Sequence, residues 1–218
     1  MEPREYAELL KQGALSWNGW RMNNPEQKLD LSGLDLSGLS LEFIDLHGVN
    51  LTHATLSGAD LRNANLRHTN LTSARLDLAD LISANFEGAD LCRACLEGAD
   101  LYKTSFKGAT LTHSKLSKAL FRRSNLSECD LSEANCQQTD FFQANLMRST
   151  LSNTNLQKAS FESSNLIEAD FTGANLRDTS FLKANLCRAN LREASVDRTN
   201  FYQAYLTGAT LPASVDIH

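Results

Sequence analysis

Apolar residues recur at every fifth position of this chain, from Leu31 to Leu211, and the register never slips. These 37 central positions hold 27 Leu and 8 Phe, with Cys136 and Val196 at the other two. A second column lies two residues before each central position, where the 32 places between residues 54 and 209 hold 21 Ala, 6 Thr, 4 Ser and one Cys. The repeating unit is therefore a small residue, a polar residue, Leu or Phe, and two more polar residues.

A period of five fits neither a helix nor an ordinary strand. In a helix, five residues advance by about 500°, so the apolar residues would spread around the circumference. In a strand, side chains alternate between two faces, so a period of five would change face at every repeat. The pattern is explained if the chain turns a corner every five residues, with the central and small side chains pointing inward. Such a coil buries its core only by stacking on neighbouring coils, about 4.8 Å apart, through backbone hydrogen bonds.

The repeating units, for example ADLRN, ANLRH and ADLCR, resemble the A(D/N)Lxx motif of the pentapeptide-repeat family, of the type found in bacteria and cyanobacteria. The resemblance covers residues 29–213. It implies an all-β fold, namely a right-handed quadrilateral β-helix with four units, or twenty residues, in each coil. The repeats would then fill about nine coils and extend for roughly 45 Å at strand spacing.

Further columns support a coil of twenty residues independently of the resemblance. Five rings recur at this interval and would stack in single file inside one side of the coil: Phe121, Phe141, Phe161, Phe181 and Phe201. Another side carries a column of Asn, interrupted only at Ser105: Asn65, Asn85, Asn125, Asn145, Asn165 and Asn185. Charges of opposite sign alternate along that same side. Stacked rings and Asn ladders hold flat sheets in register, so we interpret these columns as structural.

The N-terminal segment lacks the repeat and is predicted to cap the first coil. One short helix is expected over Pro3 to Gln12, because Pro lies near its start and Gly13 follows its end. The apolar residues of the segment would cover the coil: Tyr6, Leu9, Leu10, Leu15, Trp17 and Trp20. Larger residues replace Ala at the first four small positions, which fits a widened space under a cap: Leu34, Leu39, Ile44 and Val49. The predicted organisation is a helical cap and linker over 1–28, the β-helix over 29–213 and a tail over 214–218.

The composition excludes several classes of function. The chain has 218 residues, a net charge of -5 and 22% charged residues. This acidic balance argues against direct binding of nucleic acid, which needs a basic surface. No apolar run is long enough for a membrane helix, and the N-terminus lacks the basic start and apolar stretch of a signal peptide. The five cysteines show no disulfide spacing, so we expect reduced thiols in a cytoplasmic protein that does not bind a membrane.

The sequence contains no convincing catalytic, metal or cofactor site, and we predict that the protein is not an enzyme. Interior positions are filled by Leu, Phe and small residues, which leaves no pocket with converging polar groups. Cys92 and Cys95 form a CxxC motif, but Ala94 points inward between them, so the two thiols would lie on different sides of a corner. His47 and His68 are neighbours on one side, without a carboxylate or thiol that would complete a metal site.

Outward positions on the side that contains the internal Phe stack are rich in large apolar and aromatic residues. Connected exposed apolar patches usually mark interaction surfaces, and Tyr, Phe and Arg are frequent in binding hot spots. The predicted contact residues for a protein partner lie on this side: Phe43, Ile82, Tyr102, Arg122, Phe142, Leu182 and Tyr202. The same aromatic residues would also serve merely to shield a flat sheet, and the sequence leaves both interpretations open.

Two functions compete at this point. The first is a non-enzymatic scaffold or regulatory binding module that presents a rigid flat β-face to a protein partner of unknown identity. The resemblance supports it, because the family includes regulators of heterocyst differentiation in cyanobacteria that are thought to bind proteins. The second is a DNA mimic that inhibits or protects DNA gyrase, as the resemblance to the quinolone-resistance members implies.

Mimicry of DNA needs a continuous acidic surface. The outward charges of the four sides sum to about -4, +1, -1 and 0, and the most acidic side carries Asp90, Asp130, Glu133 and Asp170. This chain also departs from the quinolone-resistance members, because it lacks a visible loop insertion and a C-terminal dimerising helix. The scaffold is therefore preferred. A homodimer through the C-terminal coil is a further expectation, because that end has no obvious cap.

Overall fold

Each five-residue unit of this protein makes one straight segment and one corner. The computed structural model describes residues 3–25 and 27–213. In a representative unit, the backbone N–H of Ala84 donates to the carbonyl of Leu81 at 2.9 Å and closes a four-residue turn. Ser83, the third residue of that turn, has a φ of 60°. The third residue has a positive φ in every such turn from Gly33 to Gly208, as type II turns require.

The coils stack through single-residue parallel bridges that join residues twenty positions apart. These bridges run from Asp30↔Asn50 to Asn190↔Thr210, and no longer strand is present in the described residues. Between coils, the N–H of Leu81 donates to Asp100 at 2.8 Å, and the N–H of Asp100 donates back to Ala79 at 3.1 Å. The predicted β-helix with four units in each coil is therefore confirmed.

The core is a single apolar column enclosed by the four sides. The central residues from Leu31 to Leu191 are at most 1% exposed. The predicted file of five rings is confirmed, because Phe121 and Phe141 stack with centroids 5.2 Å apart, and the stack continues at 4.7, 5.1 and 5.4 Å to Phe201. A second, shorter stack pairs Phe86 with Phe106 at 4.5 Å. Burial of a Leu or Phe side chain contributes about 2 kcal/mol, so this column is the main source of stability.

The Asn ladder and the charge ladder both form in part, over the coils from Asn125 to Arg188. The side-chain amide of Asn145 donates to Asn125 at 3.2 Å, and that of Asn165 donates to Asn145 at 3.0 Å. On the same side, Glu168 lies 2.8 Å from Arg148 and 3.4 Å from Arg188, each measured between the charged atoms. These side chains therefore support the register of the stack, as predicted.

The N-terminal cap consists of two helices rather than one. Helix α1 spans Pro3–Lys11 and helix α2 spans Ala14–Asn23. The predicted helix over Pro3 to Gln12 is confirmed as α1, whereas α2 was not predicted, because Gly13 was read only as a stop and is also the N-cap of α2 with a φ of 91°. The apolar side of the cap is formed by Tyr6, Leu10 and Trp17, which are at most 4% exposed. Leu15 does not join them, since 93% of its surface is exposed.

Side chains of α2 take the place of a preceding coil. The N–H of Asp45 donates to Asn18 Oδ1 at 2.8 Å, and the carbonyl of Asp45 accepts from Trp17 Nε1 at 2.6 Å. The carbonyl of His47 accepts from Arg21 Nη2 at 3.0 Å. In the regular stack these backbone groups would bond to the coil before, so α2 satisfies the edge that would otherwise be unpaired.

The opposite end of the stack is more open. The central residues of the last coil are only half-buried: Val196, Phe201, Leu206 and Leu211. The predicted tail over 214–218 lies outside the described residues. Among the residues that are described, neither helix is long and apolar enough to cross a membrane.

Candidate functional site

The side of the β-helix built on the Phe121 stack is named the aromatic face here. Three outward positions of each unit define its surface. The residue before the central one forms the bridges, and the residue after it is the second residue of the turn. The next residue is the third residue of the turn, has the positive φ, and is called the turn position here. The second set is named the outer column and comprises Ile82, Tyr102, Arg122, Phe142, Glu162, Leu182 and Tyr202. Because the coils are in strict register, these side chains form one row along the stack.

The centre of the outer column brings together three predicted contact residues. Tyr102, Arg122 and Phe142 lie on successive coils; Tyr102 and Phe142 are half-buried and Arg122 is exposed. Arg122 Nε lies 2.5 Å from Asp140 Oδ2, so its charge is neutralised by the bridge position of the next coil. The result is a row of two aromatic rings with a paired guanidinium between them.

Three of the remaining predicted residues belong to the same row, and one lies outside it. Ile82 and Leu182 are half-buried members of the outer column, and Tyr202 is 66% exposed at its C-terminal end. Phe43 is 62% exposed but occupies a turn position two coils before Ile82. It borders a shallow groove of about 460 Å³ next to Leu15 of the cap, so the structure separates it from the row.

The turn positions of the aromatic face form a second row that the sequence analysis largely missed. They are named the corner column: Phe43, Asn63, Ser83, Lys103, Arg123, Gln143, Ser163, Lys183 and Gln203. Arg123 Nε donates to Gln143 Oε1 at 2.9 Å, and Lys103 Nζ lies 5.2 Å from the centroid of the Tyr102 ring. A sequence signal existed, because this set of turn positions contains three cations and no carboxylate.

The acidic face is the side whose central residues recur every twenty positions from Leu31 to Leu211, and it uses its carboxylates for local bonds. Asp130 Oδ1 accepts from the backbone N–H and the hydroxyl of Ser132 at 2.9 and 2.6 Å. Asp170 accepts from the N–H of Thr172 at 3.0 Å and from Asn190 Nδ2 at 3.0 Å. These carboxylates stabilise turns, as side chains of Asp commonly do.

The two cysteines of the CxxC motif are not bonded to each other, and Cys95 lies beside two carboxylates. All five thiols are free, and Cys92 is not paired with Cys95. Cys95 Sγ instead donates to Asp77 at 2.5 Å, and burial followed by this hydrogen bond raises the pKa of Cys95 to about 11. Ligand atoms of Asp77, Cys95 and Glu97 lie within 4.8 Å of one another, but Arg75 Nε is 3.2 Å from Asp77 and neutralises it. The arrangement therefore favours a protonated, hydrogen-bonded thiol.

The two neighbouring histidines make an edge-to-face contact. The ring centroids of His47 and His68 are 5.5 Å apart, with the planes inclined by 76°. The backbone carbonyl of His47 also accepts from Arg21, so this pair lies directly below the cap. The contact therefore belongs to the packing between the first coils, and no third ligand joins it among the described residues.

Comparison with known proteins agrees with this geometry. The sequence profile of the family described as Pentapeptide repeats matches overlapping segments of the chain: 30–67, 59–98, 96–127, 111–146, 144–182 and 169–208. No curated sequence matches the chain.

Two solved structures of the same type are similar to this chain. HetL from the cyanobacterium Nostoc sp. strain PCC 7120, a protein involved in regulation of heterocyst differentiation, is 27% identical over 92% of this chain and 98% of its own, with a TM-score of 0.46. A trypsin-treated form of QnrB1, a plasmid-mediated fluoroquinolone resistance protein, is 17% identical over 85% of this chain and 92% of its own, with a TM-score of 0.62. Proteins of this kind fold as right-handed quadrilateral β-helices, and the chain belongs to the pentapeptide-repeat family.

Proposed function

We propose that this protein is a non-enzymatic interaction scaffold whose aromatic face binds a protein partner. The observation that carries the proposal is the row of Tyr102, Arg122 and Phe142, which places two rings and a guanidinium on a flat, regular backbone. Aromatic residues and Arg are the types that dominate binding energy in protein interfaces. The groups found around the thiols and histidines serve packing and local hydrogen bonding, which agrees with a binding role rather than catalysis.

The dimensions of the outer column suit a standard interface. From Ile82 to Tyr202 the column crosses six coil spacings, or about 29 Å at strand spacing. A typical interface buries about 800 Å² on each partner, and a row of this length is long enough to form the centre of such an interface. The backbone is fixed by bonds on both neighbouring coils, such as Lys103 N–H to Arg122 at 3.0 Å and Arg123 N–H to Phe142 at 2.9 Å. Little conformational entropy is therefore lost on binding.

The proposal is tested by capture of a partner from the source organism with the immobilised full chain. Tyr102→Ala combined with Phe142→Ala should abolish the capture. Thr112→Ala combined with Ser152→Ala, at equivalent positions of the acidic face, is the matched control and should leave capture unchanged. Circular dichroism should show that both double variants remain folded. Capture that survives the aromatic substitutions would contradict binding through this face.

The DNA-mimic alternative is disfavoured by the spacing of charge on the acidic face. Asp90, Asp130 and Asp170 alternate with Thr at the bridge positions, so these carboxylates are two coils, or about 10 Å, apart. A DNA strand carries one phosphate for about every 3.4 Å of helix axis. Asp130→Lys combined with Asp170→Lys should therefore leave capture intact. An effect of the wild-type chain on gyrase supercoiling that is lost in this charge-reversal variant would instead support mimicry.

Self-association through the C-terminal coil is a separate part of the proposal. It is supported by Phe201 and Leu206: Phe201 stacks on Phe181 of the coil before, yet both side chains are only half-buried, unlike the central residues of the earlier coils. A second copy would cover these side chains and the adjoining backbone groups. Light scattering should then show a dimer at high concentration that Phe201→Glu makes monomeric. A wild-type chain that stays monomeric at high concentration would contradict self-association through the C-terminal coil.

A further inference from the structure

The corner column of the aromatic face differs in composition from the other three sets of turn positions. All turns require a positive φ, which glycine adopts at the lowest cost. Each of the other three sets contains at least two glycines, whereas all nine positions of the corner column carry a side chain. The corner column is also the only set without a carboxylate in these turns. Every turn of this corner thus carries a side chain although the backbone favours glycine.

Two adjacent cations of the corner column have no acidic partner. Arg123 Nε donates to Gln143 Oε1 at 2.9 Å, and Arg123 Nη1 donates to the hydroxyl of Tyr102 at 3.4 Å. Both acceptors are neutral, so they orient the guanidinium and leave its charge uncompensated. Lys103, one coil earlier, contacts the Tyr102 ring through its charged end. No carboxylate of the described residues forms an ion pair with Lys103 or Arg123.

Several charged turn residues on the other corners are paired on adjacent coils. Glu168 lies between Arg148 and Arg188, at 2.8 and 3.4 Å. Arg198 Nε lies 2.5 Å from Asp178 Oδ1 on the coil before. Opposite charges on adjacent coils stabilise the stack, whereas Lys103 and Arg123 place like charges next to each other. The corner column therefore lacks the pairs of opposite charge that stabilise the stacking of coils.

We propose that Lys103 and Arg123 form an anion clamp for an Asp or Glu carboxylate of the partner, and that an adjoining apolar side chain of the partner packs on Tyr102 and Phe142. This inference rests on the proposed function and assigns its partner class, an acidic polypeptide segment. Arg123 has free N–H groups for a two-pronged bond to a carboxylate, and Lys103 adds a point charge one coil away. Arg122 is excluded from the clamp because Asp140 already neutralises it.

The clamp is tested with isotope-labelled full chain and three matched synthetic peptides. Each peptide carries two identical residues beside Trp and Leu, and these residues are Glu, Gln or phosphoserine. The Glu peptide should bind and shift the amide resonances of residues 102–103 and 122–123, and its affinity should fall as salt is raised. Lys103→Gln combined with Arg123→Gln should weaken binding roughly tenfold or more.

A control with the same change in charge is available on another corner. Lys118 and Lys158 are exposed turn residues with φ values of 62° and 60°. Lys118→Gln combined with Lys158→Gln should leave the affinity of the Glu peptide unchanged. Equal weakening by both double variants would reduce the effect to net charge and overturn the clamp. The clamp would also be overturned if the Gln peptide bound as tightly as the Glu peptide, or if the Glu peptide did not bind. Tighter binding of the phosphoserine peptide would overturn the choice of a carboxylate as the ligand.

Failure of the clamp can be told apart from failure of the scaffold. Capture of the native partner that is lost on Tyr102→Ala with Phe142→Ala, yet unaffected by Lys103→Gln with Arg123→Gln, would overturn the clamp and leave the scaffold standing. Capture that survives both double variants would contradict binding through the aromatic face altogether.

Discussion

The two ends of this β-helix face the same physical problem and differ in how they meet it. At the N-terminal end, the central residues Leu31, Leu36 and Leu41 are at most 1% exposed. At the C-terminal end, Phe201 and Leu206 occupy equivalent positions and are only half-buried. Since the central positions are apolar at both ends, burial of these terminal residues depends on what stacks against them.

The cap achieves this burial by a different kind of structure. Helix α2 cannot offer a row of backbone groups to the first coil, because its own N–H and carbonyl groups are used within the helix. It offers the side chains of Asn18, Trp17 and Arg21 instead, which bond to the edge of the coil. A solenoid end can thus be satisfied by polar side chains together with one large buried aromatic residue.

Removal of the cap should have the largest effect, because it leaves the N-terminal core as exposed as the C-terminal core. Deletion of residues 1–23 exposes both the core and the unpaired edge of the first coil, and we expect the truncated chain to aggregate. Size-exclusion chromatography of the soluble fraction measures this. A truncated chain that stays soluble, monomeric and as stable as the full chain would show that both ends are equally self-sufficient.

Single truncations at the two ends should reproduce the difference on a smaller scale. Trp17→Ala removes a fully buried side chain and should lower the free energy of unfolding by about 3–5 kcal/mol. Phe201→Ala removes a half-buried ring and should cost about 1–2 kcal/mol. Phe161→Ala, in the middle of the ring stack, should match Trp17→Ala, and the adjacent Glu162→Ala should change stability by less than about 0.5 kcal/mol. Urea titrations rank the four variants, and equal midpoints would contradict the burial assignments.

Thiol reactivity compares the middle of the stack with its open end. Cys129 is 2% exposed, and burial raises the pKa of its thiol to about 12. Cys187, on the coil before the last, is half-exposed. Because the thiolate is the reactive form, we expect alkylation of Cys187 to be at least about tenfold faster at pH 8. A time course of alkylation analysed by mass spectrometry distinguishes the two sites. Equal alkylation rates would show that the middle of the stack opens as readily as its end.

Low pH should produce the smallest difference in stability between the two ends. Hydrogen bonds from Arg62 lower the pKa of Asp60 near the cap, and those from Arg198 lower the pKa of Asp178 near the open end. A lowered folded-state pKa gives stability that is present above the unfolded value of 3.8 and is lost as pH falls through the folded value. Asp60→Asn and Asp178→Asn should each flatten the acid limb of the stability curve slightly. An unchanged limb in both variants would show that these pairs contribute nothing.

Much of the fold follows from the sequence, because the repeat determines which side chains face inward. The coil of twenty residues was also readable, since that length aligns the rings from Phe121 to Phe201, whereas coils of fifteen or twenty-five residues would separate them. The second helix was not, because Ala14–Asn23 buries only Trp17 fully and has little apolar periodicity. The separate row formed by Lys103 and Arg123 was not readable from the sequence. It depends on the positive φ of these residues, which the turn geometry sets.

The bridges between residues twenty positions apart have a consequence for insertions and deletions. Loss of one five-residue unit would rotate everything after it by a quarter turn about the long axis. Tyr102 and Phe142 would then lie on different sides if the deletion fell between them. Loss or duplication of a whole coil would keep every column aligned and change only the length, by about 4.8 Å. Length changes in this protein and its relatives are therefore expected to occur in whole coils wherever one side serves as the binding surface.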